Sequence, residues 1–497
     1  MEVTTLAISS SAPAGAVGTT LRANCLNYWE VLAQSIALIS PTMTAALIVP
    51  AMYGTAGNGS WMAYAFGMVM LIFVALCLNE FAKRSTTSGS MYAYVTRGMG
   101  SVGGGLTGWC LIWAYLFIGL AGLTGFTNFA EILLGMLGVP AGMLSSLWMS
   151  LLCCAVCLGT SWVLAFKDVR LSAVLMLVLE GVSIALIVAL AIIVLFHKGI
   201  PVDHAQLTMK GTSFSMIAFG VVIAIFSLVG FEAATAFGDE AKAPLVNIPK
   251  AVIWSLLLTG AFFVFITYME VYGTHGYSQT LDQLTAPLNT LATIMHVGWL
   301  GVPISIGAMV SFFSLNLSCM NSGARVMFKM GSHKVFHESV GVAHAKNSTP
   351  HVASTVVAIM MAVVVTGLFI WHNNVTDLFG YVGTFGAFGF LGAYYLVSIA
   401  APLYLKKIGE LQPKHIIISV MAVLLLTVPA IGSVYTNPPL TAPVKYFVYI
   451  FLAYFVAGLV MCLAQRGRAS EVMDSVTKDL ELPAHATTAI PAEQTAA

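Results

Sequence analysis

The sequence predicts an all-α membrane protein of about twelve transmembrane helices, laid out as two inverted five-helix repeats with two trailing helices. Three observations predict it. Of the 497 residues 59% are hydrophobic and 8% charged, with a mean hydropathy of +0.90; soluble domains carry about a quarter charged residues, so water is not the solvent for most of this chain. The apolar residues gather into stretches of about 20 or more, the length a helix rising ~1.5 Å per residue needs to cross a ~30 Å hydrocarbon core. The first and sixth stretches, five apart, each carry an interruption near the middle, the pattern of an inverted-repeat fold with its ligand site at the membrane midplane.

Residues 1–29 are rich in Ala, Ser and Thr, hold one basic residue (Arg22) and precede any apolar run. They are expected to form a cytoplasmic, disordered tail and not a cleavable signal peptide. Span 1 (31–56) contains Ser40-Pro41-Thr42-Met43-Thr44, where a proline removes a backbone donor and clashes with the carbonyl one turn earlier. Span 2 (60–82) ends at Asn79-Glu80 before Lys83 and Arg84, and span 3 (102–134) carries Tyr115. Span 4 (143–165) includes Cys154-x-x-Cys157, one helical turn apart in an apolar run and without the electropositive, partly exposed setting that activates a thiol, so these cysteines read as packing. Span 5 (171–196) holds Glu180.

Span 6 (213–238) reads Ser227-Leu228-Val229-Gly230-Phe231-Glu232 near its middle, with a glycine where backbone can unwind and a carboxylate where charge is expensive. Span 7 (250–273) is followed by span 8 (298–330), which offers Ser311, Phe312, Ser314, Asn316 and Ser318, and by span 9 (351–371). Span 10 (376–404) has Tyr381 and glycines at 380, 383, 386, 389 and 392, a spacing that drifts around the helix and predicts close packing inside a bundle. Spans 11 (415–434) and 12 (443–464) trail the repeats, which cover about 31–196 and 213–404. From 466 to 497 the chain turns polar, with Pro483 and Pro491, and is expected to be a second cytoplasmic tail.

With both tails on one side, eighteen of the 21 Lys and Arg residues fall there and three (Lys198, Lys210 and Lys445) fall opposite. By the positive-inside rule this places both termini in the cytoplasm of a multi-pass protein of the cell membrane. A net charge of +1 suggests no nucleic-acid partner, and the eleven histidines show no ligand spacing, so neither a metal nor a cofactor is indicated. No His-Glu-x-x-His, Gly-x-Ser-x-Gly or phosphate loop is present, which argues against a membrane enzyme and against ATP-driven pumping.

At an interrupted helix the free amides of one half suit an anionic group and the free carbonyls of the other suit an ammonium or a cation. Ser40, Pro41, Thr42, Met43 and Thr44 with Ser227, Gly230 and Phe231 are therefore the candidate binding residues for a small zwitterion or amine. Glu232 and Glu180 are candidate coupling or gating acids, because an intramembrane carboxylate is a functional site by default. Tyr115, Phe312 and Tyr381 are candidate gating rings, since a desolvated cation gains up to about 2 kcal/mol over an aromatic face.

Three stretches are similar to signatures of the amino acid–polyamine–organocation transporters. Asn79-Glu80-Phe81-Ala82-Lys83-Arg84 through Gly89-Ser90-Met91-Tyr92-Ala93-Tyr94 resembles that family's E-L-A-x-R-x-P-x-x-G-G-x-Y-x-Y loop, with Thr86 in place of its proline. Gly230-Phe231-Glu232-Ala233, Gly238-Asp239-Glu240-Ala241-Lys242-Ala243-Pro244 and Asn247-Ile248-Pro249 follow its G-F-E-A, G-E-E-x-K-N-P and N-I-P signature almost continuously. Asn321-Ser322-Gly323-Ala324-Arg325 and the later Thr349-Pro350 resemble its N-A-x-S-R and T-P pattern. The resemblance covers about 30–465 and implies the LeuT-type fold, an amino acid permease working by alternating access as a symporter or antiporter, a small solute and a coupling proton. Many amino acid carriers of that family have a Gly-Ser-Gly type break in span 1, whereas Ser40-Pro41-Thr42 stands here; proline-bearing breaks occur in relatives handling polyamines and other amines, so both solute classes stay open. The span 5 lysine through which some relatives couple to protons is absent between Arg170 and His197.

Overall fold

A computed structural model describes residues 21–199, 202–284, 286–434 and 442–480, and its regular structure there is helical. The first half comprises α1 (Tyr28–Ile39), α2 (Pro41–Met43), α3 (Val49–Ala56), α4 (Ser60–Ala82), α5 (Ser90–Met136), α6 (Ala141–Leu144), α7 (Leu147–Lys167), α8 (Val169–Lys198) and α9 (His204–Leu207). It continues with α10 (Phe214–Leu228), α11 (Pro244–Thr274), α12 (Pro287–Ile294), α13 (Gly301–Ser332), α14 (His351–Trp371), α15 (Val375–Lys407), α16 (Pro413–Gly432), α17 (Phe447–Ala464) and α18 (Ala469–Leu480).

Among the described residues, eleven helical stretches are long and apolar enough to cross a membrane. The first, Tyr28–Ala82, has 55 residues, about 80 Å if it were straight and more than twice the hydrocarbon thickness. It is turned at Gly57 (φ 52°, ψ −131°) and the 3₁₀ turn Gly57–Gly59, so it is long enough for two crossings, which makes twelve among the described residues.

Local chemistry sets many of the helix ends. Asn27 and Glu30 close a reciprocal capping box on α1, the side chain of each accepting from the other's backbone N–H at 3.0 and 2.7 Å. Asp168 takes the N–H groups of Arg170 and Leu171 at the start of α8, Ser146, Ser213 and Asn374 cap α7, α10 and α15, and Pro413 occupies the first turn of α16 where a missing N–H costs nothing.

Packing sorts the helices into an inner set and an outer set. α5, α13 and α15 are buried along most of their length, and α15 approaches closely because its glycines leave room: a Cβ at 383 would meet the Phe226 ring, and at 386, 389 and 392 it would meet Ile118, Ala114 and Cys110 of α5. α7, α8, α14, α16 and α17 turn apolar residues outward, among them Val156, Val178, Val363, Leu424 and Val460, all more than half exposed. Such a surface suits acyl chains.

Three segments differ from their sequence reading. The helix of span 3 begins at Ser90, ahead of the span, and is bent at Gly100 (φ 82°, ψ −177°), so 90–99 is a short helix where a loop was expected. Within the expected tail 466–497, Ala469–Leu480 is helical and buries Val472 and Val476 against α5; two apolar residues at i and i+4 suffice for one stripe and vanish in an average over a polar segment. Within the expected tail 1–29, Leu21 and Leu26 are buried, and the N–H groups of Cys25 and Leu26 donate to the Glu240 carbonyl at 2.9 and 3.0 Å. Residues 1–20 and 481–497 of the two tails lie outside the described residues.

Candidate functional site

The first helix loses its ladder at Ser40, which takes a left-handed conformation (φ 51°, ψ 73°), while Pro41 brings no N–H to the carbonyl of Ala37. The chain then resumes as α2, widens into a π-helical turn over Thr44–Ile48 and continues as α3. The sixth crossing stops at Leu228. Val229 is extended, Gly230 has φ 103°, and the backbone restarts only as a 3₁₀ run, Ala233–Phe237.

The two interruptions meet. Ser35 of α1 donates its hydroxyl to the Phe231 carbonyl at 2.8 Å and accepts the Ala234 N–H at 3.0 Å, so one side chain spans the unwound turn of the other helix. Gly230 has both a positive φ and no space: any Cβ there would press into Leu38, one residue before the end of α1. Ser255 of α11 adds a second donor to the Phe231 carbonyl at 3.3 Å.

Glu232 is fully buried inside this turn and holds it in shape. Its Oε2 accepts from the Tyr394 hydroxyl at 2.6 Å and from the Gly230 N–H at 3.1 Å, and its Oε1 faces the Tyr115 hydroxyl at 3.4 Å. The Gly230 N–H also points at the Tyr394 oxygen, 3.3 Å away, and the Phe231 ring lies against the Tyr394 ring with centroids 5.3 Å apart. These donors offset part of the cost of burying the acid.

Glu180 sits at the other interruption. The Ser311 hydroxyl donates to its Oε1 at 2.7 Å and shares a 3.0 Å hydrogen bond with the Ser40 hydroxyl, while its Oε2 and the buried Thr42 and Thr44 hydroxyls have no protein partner. Of the span 8 hydroxyls, Ser314 bonds the Val310 carbonyl of its own helix, whereas Ser318 reaches the Gln34 carbonyl of α1 at 2.7 Å. Pro41 and Met43 are buried beside them, and Ser227 bonds the Tyr64 hydroxyl at 3.2 Å.

The three candidate rings part company. Tyr115 touches Glu232, as above. Phe312 stacks with Phe129 and meets Phe379 edge-on, both at 5.8 Å, and Phe379 reaches Phe226, giving an aromatic layer between α5, α13, α15 and α10 beside Ser227 and Ser311. Tyr381 packs on Trp371, His372 and Phe447 in the first turns of α15, apart from both interruptions. A cavity of about 610 Å³ behind this layer is lined by Phe219, Phe226, Phe388 and Thr384 and is mostly apolar; it touches neither Glu232 nor Ser40, so it is not the pocket of a charged solute.

One end of the site is sealed by ion pairs that the motif match named only as sequence. Arg325 grips Glu240 in a bidentate pair (Nε to Oε2 2.5 Å, Nη2 to Oε1 2.7 Å), donates to the Asn321 carbonyl at 2.9 Å and lies 4.2 Å above the Phe237 ring. Lys329 pairs with Asp239 at 3.0 Å. Cys25 lies against this seal, half-buried, and burial together with the Glu240 charge pushes its thiol up to about 11. Tyr394 and Ser35 escaped the sequence reading. The adjacent pair Tyr394-Tyr395 was the available signal, but nothing in it says which hydroxyl faces inward.

Among the described residues no cluster of His, Cys, Asp and Glu could hold a metal ion. Residues 26–462 match the amino acid permease family. The chain is 23% identical over 369 residues to the branched-chain amino acid permease BcaP of Bacillus subtilis (strain 168), covering 72% of this chain and 76% of that one. It is 24% identical over 297 residues to the low-affinity putrescine importer PlaP of Escherichia coli (strain K12), covering 58% and 63%. To the cationic amino acid transporter 4 of Mus musculus it is 26% identical over 329 residues, covering 62% and 49%.

Proposed function

The chain belongs to the amino acid permease family, and from that membership we propose that it is a secondary active transporter of amino acids, and not an enzyme or a channel. It works in the cell membrane by alternating access, with both termini cytoplasmic, surrounded by lipid and coupled to protons or to exchange. The observation that carries the reading is the meeting of two interrupted helices through Ser35, Leu38 and Gly230. Non-helical backbone at membrane depth is tolerated where it is buried in protein or lines a water-filled cavity. Half-helix ends that face one another give a carboxylate and an ammonium separate partners without a dedicated charged residue for each.

In this mechanism the solute lies between Ser40-Pro41-Thr42-Met43-Thr44 and Ser227-Gly230-Phe231. Glu232 holds the unwound turn of the sixth crossing through Tyr394 and Tyr115, and the layer containing Phe312 closes one side. Rocking of one five-helix repeat on the other exposes the site alternately.

A specific observation supports a second reading, transport of polyamines or other organic amines. Glu180 places an acid one hydroxyl away from the first interruption, and the proline there withholds an amide that a solute carboxylate would need. One experiment separates the readings: melting of the purified protein against branched-chain amino acids, cationic amino acids and diamines. A ligand at 100 times its Kd adds about 2.7 kcal/mol of stability. A rise with diamines alone selects the amine reading, and no rise with any of them, together with no counterflow in proteoliposomes, rejects both.

A further inference from the structure

A third acid lies deep in the bundle. Glu270 of α11 is 1% exposed, and neither of its carboxyl oxygens has a protein partner, in contrast to Glu232 with three donors and Glu180 with one. The Thr267 hydroxyl, one turn earlier on the same face, is equally without one. An unpaired carboxylate anion in a dry interior costs several kcal/mol, and the usual resolution is to bind a proton.

Glu270 is only one turn from the end of α11, where a side chain would ordinarily meet water. A small apolar cluster of Val49, Val271, Leu281 and Leu284, with Tyr53 packed on it, covers that end. Val49 and Tyr53 belong to α3, the outer continuation of the interrupted first helix. We propose that Glu270 is a proton-binding site whose hydration is set by the position of α3, so that a proton boards or leaves there as the solute site opens and closes. When α3 swings away, water reaches the carboxyl and the anion becomes affordable; when α3 returns, the acid must be neutral. The link to the solute is also chemical: Tyr64 of α4, close enough to feel the Glu270 charge, bonds Ser227 just before the second interruption.

No neighbouring charge competes for this role. The groups near this end of α11 are Tyr268 and Tyr272 on α11 itself, whose hydroxyls bond the Asp203 N–H and the Lys198 carbonyl, Tyr64 on α4, Tyr53 on α3, Asp282 in the 3₁₀ turn Leu281–Gln283, the Asp203–His275 pair at 3.1 Å, and His197 and Lys198 at the end of α8, with the Lys198 ammonium on the carbonyls of Tyr272 and His275. Among the described residues none of them forms an ion pair or hydrogen bond with Glu270.

The inference rests on the transporter reading for its consequence but not for its test. Infrared difference spectra of the full-length protein in lipid, titrated with acid and base, are expected to contain a protonated carboxylic C=O component that vanishes in Glu270→Gln and persists in Glu232→Gln. Should the amide fail to fold, a displaced band in Glu270→Asp makes the same assignment. Leu281→Gln, which wets the apolar cover, is expected to move the titration of that component to lower pH. In proteoliposomes a one-unit pH gradient drives about tenfold accumulation per coupled proton; in Glu270→Gln that accumulation falls to none while counterflow stays within about threefold of wild type. A spectrum and an accumulation ratio both unchanged in Glu270→Gln overturn the proposal. Wild-type protein with no counterflow overturns the transporter reading instead, and the infrared component still decides whether Glu270 binds a proton.

Discussion

Tyr394→Phe removes one oxygen from the turn between Leu228 and Ala233, and its cost can be worked from the geometry. The Tyr394 hydroxyl gives Glu232 its shortest hydrogen bond, 2.6 Å, and also stands 3.3 Å from the Gly230 N–H. A hydrogen bond to a charged group contributes about 1.5–3 kcal/mol. Without it Glu232 keeps the Gly230 N–H at 3.1 Å and the longer Tyr115 contact at 3.4 Å, so the carboxylate stays but the turn it shapes becomes one of several. If the solute binds only the native turn, its apparent affinity falls with the fraction of molecules that hold that turn. At 1.36 kcal/mol per tenfold the loss corresponds to about 10- to 150-fold in Kd. Melting of the purified variant against increasing solute reads this directly. Tyr395→Phe is the control, since its hydroxyl bonds Thr427 on α16 at 3.0 Å, away from the turn, and is expected to leave affinity within about twofold. Equal affinities for Tyr394→Phe and wild type would mean that Glu232 is held by the remaining donors and that Tyr394 only packs.

The other expectations concern separate parts of the molecule. Pro41→Ala restores a donor for the Ala37 carbonyl and is expected to lower solute affinity with expression largely intact; an unchanged concentration series of uptake makes the proline purely structural. Arg325→Ala leaves Glu240 buried without its partner, a loss of about 3–5 kcal/mol, and is expected to open the seal, with Glu240→Gln in the same chain recovering part of it; equal solvent accessibility of the seal in the single variant and wild type contradicts this. Cys25 reports that opening: burial is the chief cause of its raised thiol, so wetting of the seal is expected to quicken maleimide labelling in Arg325→Ala even though loss of the Arg325 charge by itself works the other way, the seven remaining cysteines being buried. Asn58→Cys and Ser470→Cys should label from opposite faces of the membrane, and labelling of both from one face rejects the topology; Ser60 is too buried to serve.

What the sequence discloses and what it hides follow from the range of the forces involved. Helix number and length are visible because hydrocarbon thickness imposes them on every crossing. The interruptions at Ser40-Pro41 and Gly230 are visible because proline and glycine act on their own backbone. Tyr394, Ser35 and Arg325 act on residues 162, 196 and 85 positions away, and no local pattern carries such a distance. Tyr381 and Tyr394 are both tyrosines of one inner helix, and only packing separates the ring beside Phe447 from the hydroxyl on Glu232. Glu270 was hidden differently: its position near a helix end suggests water, yet it is 1% exposed, and the apolar residues that gather on the neighbouring Val271 come from α3 and from the segment after α11.

These placements link the two ends of the site mechanically. Only the five-residue 3₁₀ run Ala233–Phe237 and Gly238 separate Glu232 in the unwound turn from the adjacent Asp239 and Glu240 in the seal. Phe237 ends that run under the Arg325 guanidinium, and Thr235 within it bonds Ser90 at the first turn of α5 at 2.7 Å. A short rod pinned at both ends moves as a unit, because bending it would break hydrogen bonds in a dry interior where each lost partner costs about 1–3 kcal/mol. Displacement of the Gly230–Glu232 turn by a bound solute is therefore passed to Glu240 rather than absorbed. The outer half answers through different parts: Ser40 turns the first helix, α3 continues it, and the apolar cover over Glu270 belongs partly to α3. On the proposed reading, a solute wedged between the interruptions bears on the ion-paired seal through the sixth crossing and, through the first, on Glu270 as the proposed proton site. Such an arrangement makes opening at one end compete with opening at the other, and that competition is the physical requirement of alternating access.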